Sequence, residues 1–310
     1  MSDLEYRCLF GPVASRRLGR SLGVDLVPHK TCSLDCLFCQ AGPTTSLTVD
    51  RSEYIPVKDV IKEIESWLKH NGSVDFITLS GSGEPTLHSR FGDILDAVHK
   101  MCSIKTALLS NGSLFYLPEV RNDACKADLV KLSLSAWDQK SFTEINHPYS
   151  DMKFFDVVDG MRKFRHEFTG ELLLEIFVLF NFNATPTAMK KIAKLAESVH
   201  PDRIQLNTVV RPPAHHSAIP VLAAELEKFA PLFTPRAEVI PEFDEQTPED
   251  NKKTEEKEII AMLRRRKCSV SDIAEAFNIS VDDAVKYIEN LISARQIREE
   301  QRGDTMYYGA

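Results

Sequence analysis

Three cysteines stand within eight residues, Cys32, Cys36 and Cys39, in the pattern C-x3-C-x2-C. Thiolates are soft ligands that select zinc or iron–sulfur clusters, so a triplet on one short loop points first to metal chemistry. A loop of this spacing can wrap a cubane and give one thiolate to each of three irons, leaving the fourth iron open to an outside ligand. An electron-transfer cluster takes four thiolates; a catalytic one needs that open corner. Zinc is the competing occupant, with His29 or Cys8 as fourth ligand. C-x3-C-x2-C is not a zinc-ribbon pairing, and no second Cys or His pair follows at short spacing. Taken alone, the spacing leaves both metals open.

A second feature follows some forty residues on. Gly81-Ser82-Gly83-Glu84-Pro85 is a glycine-rich turn with one carboxylate, placed directly after an apolar run. Its bland reading is a βα turn with no ligand. Of the other cysteines, Cys102 and Cys125 read as small buried apolar residues and Cys268 as one with no part in the chemistry, while Cys8 is a candidate neighbour of the cysteine loop. Seven cysteines so unevenly spread do not read as a disulfide framework. The formal charge of −7 argues against a general polyanion binder. No stretch reaches the roughly 18 consecutive apolar residues of a membrane span. The opening MSDLEYRCLF lacks the basic and apolar regions of a secretion signal, so a cytoplasmic protein without membrane contact is expected.

The elements that must position these residues alternate. Apolar runs at 22–27, 74–79, 105–109, 129–134, 172–179 and 203–210 read as parallel strands buried on both faces. Helical periodicity separates them at 57–69, 89–101, 154–165 and 187–198. Repeated β-then-α order predicts a parallel sheet with helices outside, either doubly wound or an open barrel. Residues 241–253 are acidic and nearly free of apolar anchors, and read as a linker between a 1–240 catalytic part and a 254–310 module. In the module, helices at 255–266, 270–277 and 281–294, with a turn at Asn278 and an N-cap at Ser280, precede a hairpin over 297–308, the order of a winged helix-turn-helix.

The two motifs together resemble the radical S-adenosylmethionine (SAM) superfamily. Its hallmarks are C-x3-C-x2-C after the first strand with an aromatic residue before the last cysteine, here Phe38, and a glycine-rich turn ending in Glu after the second strand. Within it, Gly11-Pro12-Val13-Ala14-Ser15-Arg16-Arg17-Leu18-Gly19, Gly23-Val24-Asp25-Leu26 and Ser80–Thr86 look like the wyosine-synthetase-related Fe–S oxidoreductases, over roughly residues 8 to 215. The resemblance implies an α/β fold, a partial (β/α)6 TIM-like barrel. It implies a [4Fe–4S] cluster on Cys32, Cys36 and Cys39, and SAM whose methionine amine meets Gly81, Gly83, Glu84 and Pro85. Asn111, Ser133 and Ser135, with Lys131 and Glu175, fall where the superfamily contacts SAM. Asn207 and Arg211 end the sixth strand, where adenine or the SAM carboxylate is met, as parallel α/β folds place ligands at strand C-terminal ends.

The implied activity is that of an oxidoreductase or transferase. It cleaves SAM reductively to a 5′-deoxyadenosyl radical, which abstracts hydrogen from a small-molecule, peptide or nucleotide-derived substrate. Flavodoxin or ferredoxin would supply the electron. Wyosine synthetases act on transfer RNA and carry further N-terminal cysteines; here only Cys8 stands there, and residues 1–250 hold 27 basic against 34 acidic side chains. Arg16, Arg17 and Arg20 suit an anionic group or a solvated surface equally. His88, His147, His215 and His216 read as ordinary histidines. The module balances 11 basic with 11 acidic residues, and Asp282-Asp283 opens its third helix, which disfavours DNA and a cluster-bearing regulator.

Overall fold

The computed structural model describes residues 6–15, 19–71, 74–240, 256–277, 279–303 and 305–310. Arg16 and Arg17, the segment 241–253 read as a linker, and Asn278 lie outside the described residues. One sheet dominates. Its parallel strands are β2 (Gly19–Val24), β5 (Phe76–Leu79), β6 (Lys105–Leu109), β7 (Leu129–Ser133), β8 (Glu171–Phe177), β9 (Arg203–Asn207) and the short β10 (Glu238–Val239). They lie in sequence order, and β1 (Leu9–Ser15) adds an antiparallel edge beside β2. The strands β3 (Thr31–Cys32) and β4 (Ser46–Leu47) form a separate parallel pair on the cysteine loop.

Helices fill the crossovers: α1 (Val57–Asn71), α2 (Phe91–Met101), α3 (Pro118–Ala124), α4 (Gln139–Asn146), α5 (Phe154–Glu167), α6 (Pro186–Val199) and α7 (Ala223–Phe229). Strand pairs such as Leu22↔Ile77, Leu108↔Val130 and Leu174↔Ile204 are apolar and fully buried. That is why these strands read as continuous apolar runs rather than alternations. The apolar stripes of α1 and α6, Val60 with Ile64 and Met189 with Ile192, pack into the same core. Both edges of the sheet, β1 and β10, stay unjoined, so this is a partial barrel and not a closed one.

Sequence periodicity overlooked β1, α3, α4 and α7. β1 has Gly11-Pro12 at its middle, which erases the strand signal; the register shifts between Phe10 and Val13, as an edge strand tolerates around proline. The eight-residue α4 has few apolar residues and is held instead by a capping box. Asp138 Oδ1 accepts from the Ser141 backbone N–H at 2.8 Å, and Ser141 Oγ from the Asp138 N–H at 3.1 Å. Such a cap contributes about 1 kcal/mol, and it fixes the helix that ends on Asn146.

Beyond the barrel lie α8 (Glu256–Leu263), α9 (Val270–Phe277), α10 (Val281–Ser293) and a hairpin of β11 (Arg298–Arg302) with β12 (Thr305–Gly309). These have an apolar core of their own, including Ile259, Met262, Ile273, Ile288 and Leu291, against which Val13 of β1 packs.

Candidate active site

The cysteine loop leaves the C-terminal end of β2 and is tied down along its length. The N–H of Leu37 donates to Ile145 O at 3.0 Å, that of Tyr149 to Ser33 O at 2.9 Å, and that of Thr48 to Cys32 O at 2.9 Å. Phe38 stacks on Phe177, at the end of β8, with ring centroids 4.1 Å apart and planes 10° from parallel. The aromatic residue before the last cysteine therefore anchors the loop across the barrel mouth.

The glycine-rich turn is joined to this loop by backbone hydrogen bonds. Lys30 N–H donates to Ser82 O at 3.2 Å, and Glu84 N–H to Thr31 O at 3.0 Å. Glycine is required for that approach: a Cβ on Gly83 would come within 2.2 Å of Thr31 O, and one on Gly81, whose φ is +145°, within 2.2 Å of the Asp25 carboxyl carbon. Pro85 then opens a single 3-10 turn, Pro85–Leu87. We expect Gly83→Ala to cost about 1–3 kcal/mol as the turn is pushed off the loop. Thermal unfolding of the metal-free protein measures this, and an unchanged midpoint would show that the two segments are not packed as described.

Each cysteine thiol receives a side-chain N–H from a different element. Lys30 Nζ donates to Cys39 Sγ at 3.0 Å, Asn146 Nδ2 to Cys36 Sγ at 3.2 Å, and Asn111 Nδ2 to Cys32 Sγ at 3.5 Å. Lys30 is 2% exposed. Burial, then the nearby Glu84 carboxylate, pushes the Cys32 thiol up to about 12, and burial raises Cys36 well above the ordinary thiol range. Such thiols keep their protons until a cation displaces them. The donor set fits an iron–sulfur cluster: three sulfur ligands, each with an N–H donor to disperse thiolate charge, on a loop walled by aromatic and aliphatic side chains.

The fourth ligands considered for zinc, His29 and Cys8, have other surroundings. Among the described residues, no three His, Cys, Asp or Glu side chains converge as ligands of one ion do. His29 is exposed, and Cys8 donates its thiol to Glu63 Oε2 at 2.9 Å, away from the loop; burial and that carboxylate push the thiol above its usual range.

Glu84, 2% exposed, accepts four hydrogen bonds: from Thr86 N at 3.0 Å, Thr86 Oγ1 at 2.6 Å, Ser110 Oγ at 2.8 Å and Asn111 N at 2.8 Å. It fastens the turn to the end of β6. Asn111, Ser133 and Ser135 meet at one cavity, which Leu34, Phe142 and Asn146 also line. Ser133 Oγ accepts from Lys131 Nζ at 3.2 Å, and Ser135 Oγ from Phe177 N–H at 3.1 Å. Asn207 lies outside this cavity and donates to Glu175 Oε1 at 3.0 Å, while Lys131 pairs with Glu175 Oε2 at 3.0 Å. Arg211 points to the C-terminal unit, where Asp272 Oδ1 lies 2.7 Å from Nη2. His88 bonds to Ile55 O, His147 caps α4 in the left-handed region, and Arg20 N–H donates to Asp75.

Comparison with known proteins decides the family. The description of the radical SAM superfamily matches residues 26–196, more than half of the chain, and spans both motifs. The chain belongs to the radical SAM superfamily. It is 31% identical over 305 residues to a UPF0026 protein of Helicobacter pylori, covering 97% of each. It is 34% identical over 302 residues to a Brachyspira hyodysenteriae protein named GTPase Obg, covering 96% of this chain but only 44% of that relative's length. Among solved structures, TYW1 with a lysine–pyruvate adduct superposes with a TM-score of 0.53 at 16% identity, over 74% of this chain and 76% of that one, a likeness of fold. As a radical SAM enzyme the chain uses a [4Fe–4S] cluster and SAM, and requires a reductant and a substrate. Among the described residues, no helix is long and apolar enough to cross a membrane.

Sequence reading missed Lys30, Asn146 and Asp25 as members of the site. Lys30 lies two residues before Cys32, close enough in sequence for its ammonium to reach Cys39. Asn146 ends a helix with almost no periodic signal, and nothing local marks it.

Proposed function

We propose that Cys32, Cys36 and Cys39 hold the cluster and that Gly81–Pro85, with Asn111, receives the methionine end of SAM. Ser133 and Ser135 line the space beside it. When bound, the cofactors supply a one-electron cleavage of the sulfonium C–S bond and the hydrogen abstraction that follows. The chain's own residues do the rest. Asn146, Lys30 and Asn111 disperse charge on the sulfurs, Glu84 fixes Asn111 and Ser110, and Phe38 on Phe177 keeps water from the cluster face. The observation that carries this reading is the trio of N–H donors, one on each thiol, in a loop joined to the glycine turn.

The 1–240 barrel carries this chemistry, with flavodoxin or ferredoxin as electron donor and a small-molecule, peptide or nucleotide-derived substrate. The wyosine reading is not favoured, because the Cys8 thiol is turned to Glu63. The GTPase name is not carried over either, because no Gly-Lys pair, and so no phosphate loop G-x4-G-K-[ST], occurs in this sequence.

The test is anaerobic reconstitution with iron and sulfide, then reduction with dithionite in the presence of SAM. Deoxyadenosine and methionine should form together, and SAM should alter the electron paramagnetic signal of the reduced cluster. A colourless protein, or a cluster indifferent to SAM, overturns the reading.

A further inference from the structure

The C-terminal unit reaches into the barrel at two points, and both contact the loops just described. Arg265, two residues beyond α8, directs its Nε to Asp25 Oδ2 at 3.3 Å; both side chains are largely buried. The same Asp25 oxygen accepts from Ser82 N–H at 3.0 Å and from Ser82 Oγ at 2.8 Å. Ser82 O in turn accepts from Lys30 N–H, and Lys30 Nζ reaches Cys39 Sγ. The Arg265 guanidinium also lies 4.5 Å from the centre of the Phe10 ring.

At the second point, Arg211 binds Asp272 through Nε at 2.8 Å and Nη2 at 2.7 Å, and its Nη1 lies 3.4 Å from Oε1 of Gln40, next to Cys39. Asp272 is itself held by Ser269, whose N–H and hydroxyl donate to Oδ2 at 2.9 and 3.0 Å.

We propose that the C-terminal unit is a working part of the SAM site, in which Arg265 is a positioning residue that fixes Ser82 in the glycine turn through Asp25. Asp272 does the same for the tail of the cysteine loop through Arg211 and Gln40. The physical reason is the cost of a buried carboxylate. Burial raises the Asp25 pKa and the adjacent guanidinium opposes the rise, so Arg265 keeps in place the anion that accepts two hydrogen bonds from Ser82. Withdrawn from Arg265, Asp25 takes a proton or turns to water, and the turn loses the acceptor that holds its Ser82 N–H. The unit therefore acts as a clamp on the cofactor site. This inference rests on the proposed role of Gly81–Pro85 in binding SAM.

The experiment uses the full chain with Arg265→Gln and, as the charge-conserving control, Arg265→Lys. Hydrogen exchange is measured on metal-free protein and SAM binding on reconstituted protein. Arg265→Gln should speed exchange in the 80–86 peptide by about tenfold, with exchange in α2 and α6 unchanged, and Arg265→Lys should restore most of the protection. Iron content per chain should match the parent, while the SAM dissociation constant rises several-fold. Equal exchange at 80–86 in parent and variant, or faster exchange spread evenly over the barrel, overturns the relay. Unchanged SAM affinity in Arg265→Gln also overturns it. If the exchange results hold but the parent itself binds no SAM, the relay stands and the assignment of the turn to SAM falls.

Discussion

Cys36→Ala is expected to purify as a folded chain that takes up no stable cubane and forms deoxyadenosine only at background. Cys36 is small, sits on a loop outside the regular strands, and gives up only one hydrogen bond, so the barrel should keep its secondary structure by circular dichroism. What it removes is one of the three proposed ligands, and a cubane on two thiolates is exposed to loss of iron. Removing the donor and keeping the ligand should have a graded effect. Asn146→Leu leaves Cys36 in place but strips its N–H, for which losses of about 10–100-fold in metal affinity or activity are typical. The Asn146→Leu cluster should also have a lower midpoint potential, since an N–H on sulfur stabilises the more reduced, more negative state. Iron analysis and an EPR-monitored redox titration check both variants. A Cys36→Ala protein with parental iron content would refute the assigned ligand, and an Asn146→Leu potential equal to the parent's would refute the assigned donor.

What the sequence made legible follows from how local each signal is. Cys32, Cys36 and Cys39 lie on one loop, and Gly81 and Gly83 in one turn, so a short fixed spacing is enough to mark them. The buried parallel strands were legible for a related reason: residues such as Ile77, Val130 and Leu174 are wholly buried, and burial writes itself as an unbroken apolar run. Asn146 on Cys36 and Arg265 on Asp25 join residues 110 and 240 positions apart. No period or spacing encodes such pairs; they exist only once the barrel has formed and the C-terminal unit has packed on β1. Arg211, expected at the sixth strand's end to meet a ligand, pairs with Asp272 of the C-terminal unit, a partner that its place on the strand does not announce. Asn207, expected at that same strand end, donates to Glu175.

Glu84→Ala should be the most damaging single change to stability at the site. In the superfamily resemblance this glutamate is a SAM contact, yet here both its oxygens are already engaged, with three donors on Oε1 and the Asn111 N–H on Oε2. Alanine orphans those donors where almost no water reaches. A stranded buried donor costs about 1–3 kcal/mol, and the two Thr86 groups can partly turn away, so we expect a net loss of about 3–5 kcal/mol. For a chain of this size that is a fall of about 10 °C in melting temperature. Glu84→Gln separates the two duties of the residue. Its amide oxygen can keep the Oε1 partners, but its NH2 then faces the Asn111 N–H, donor against donor. Stability should drop by only about 1–2 kcal/mol, while Asn111 swings away from Cys32 and Ser33 and SAM binding weakens far more than the fold does. Differential scanning calorimetry on the metal-free protein and SAM titration of the reconstituted protein measure the two effects separately. If Glu84→Gln weakened the fold as much as Glu84→Ala and left SAM binding untouched, Glu84 would be a structural bolt with no part in holding the cofactor.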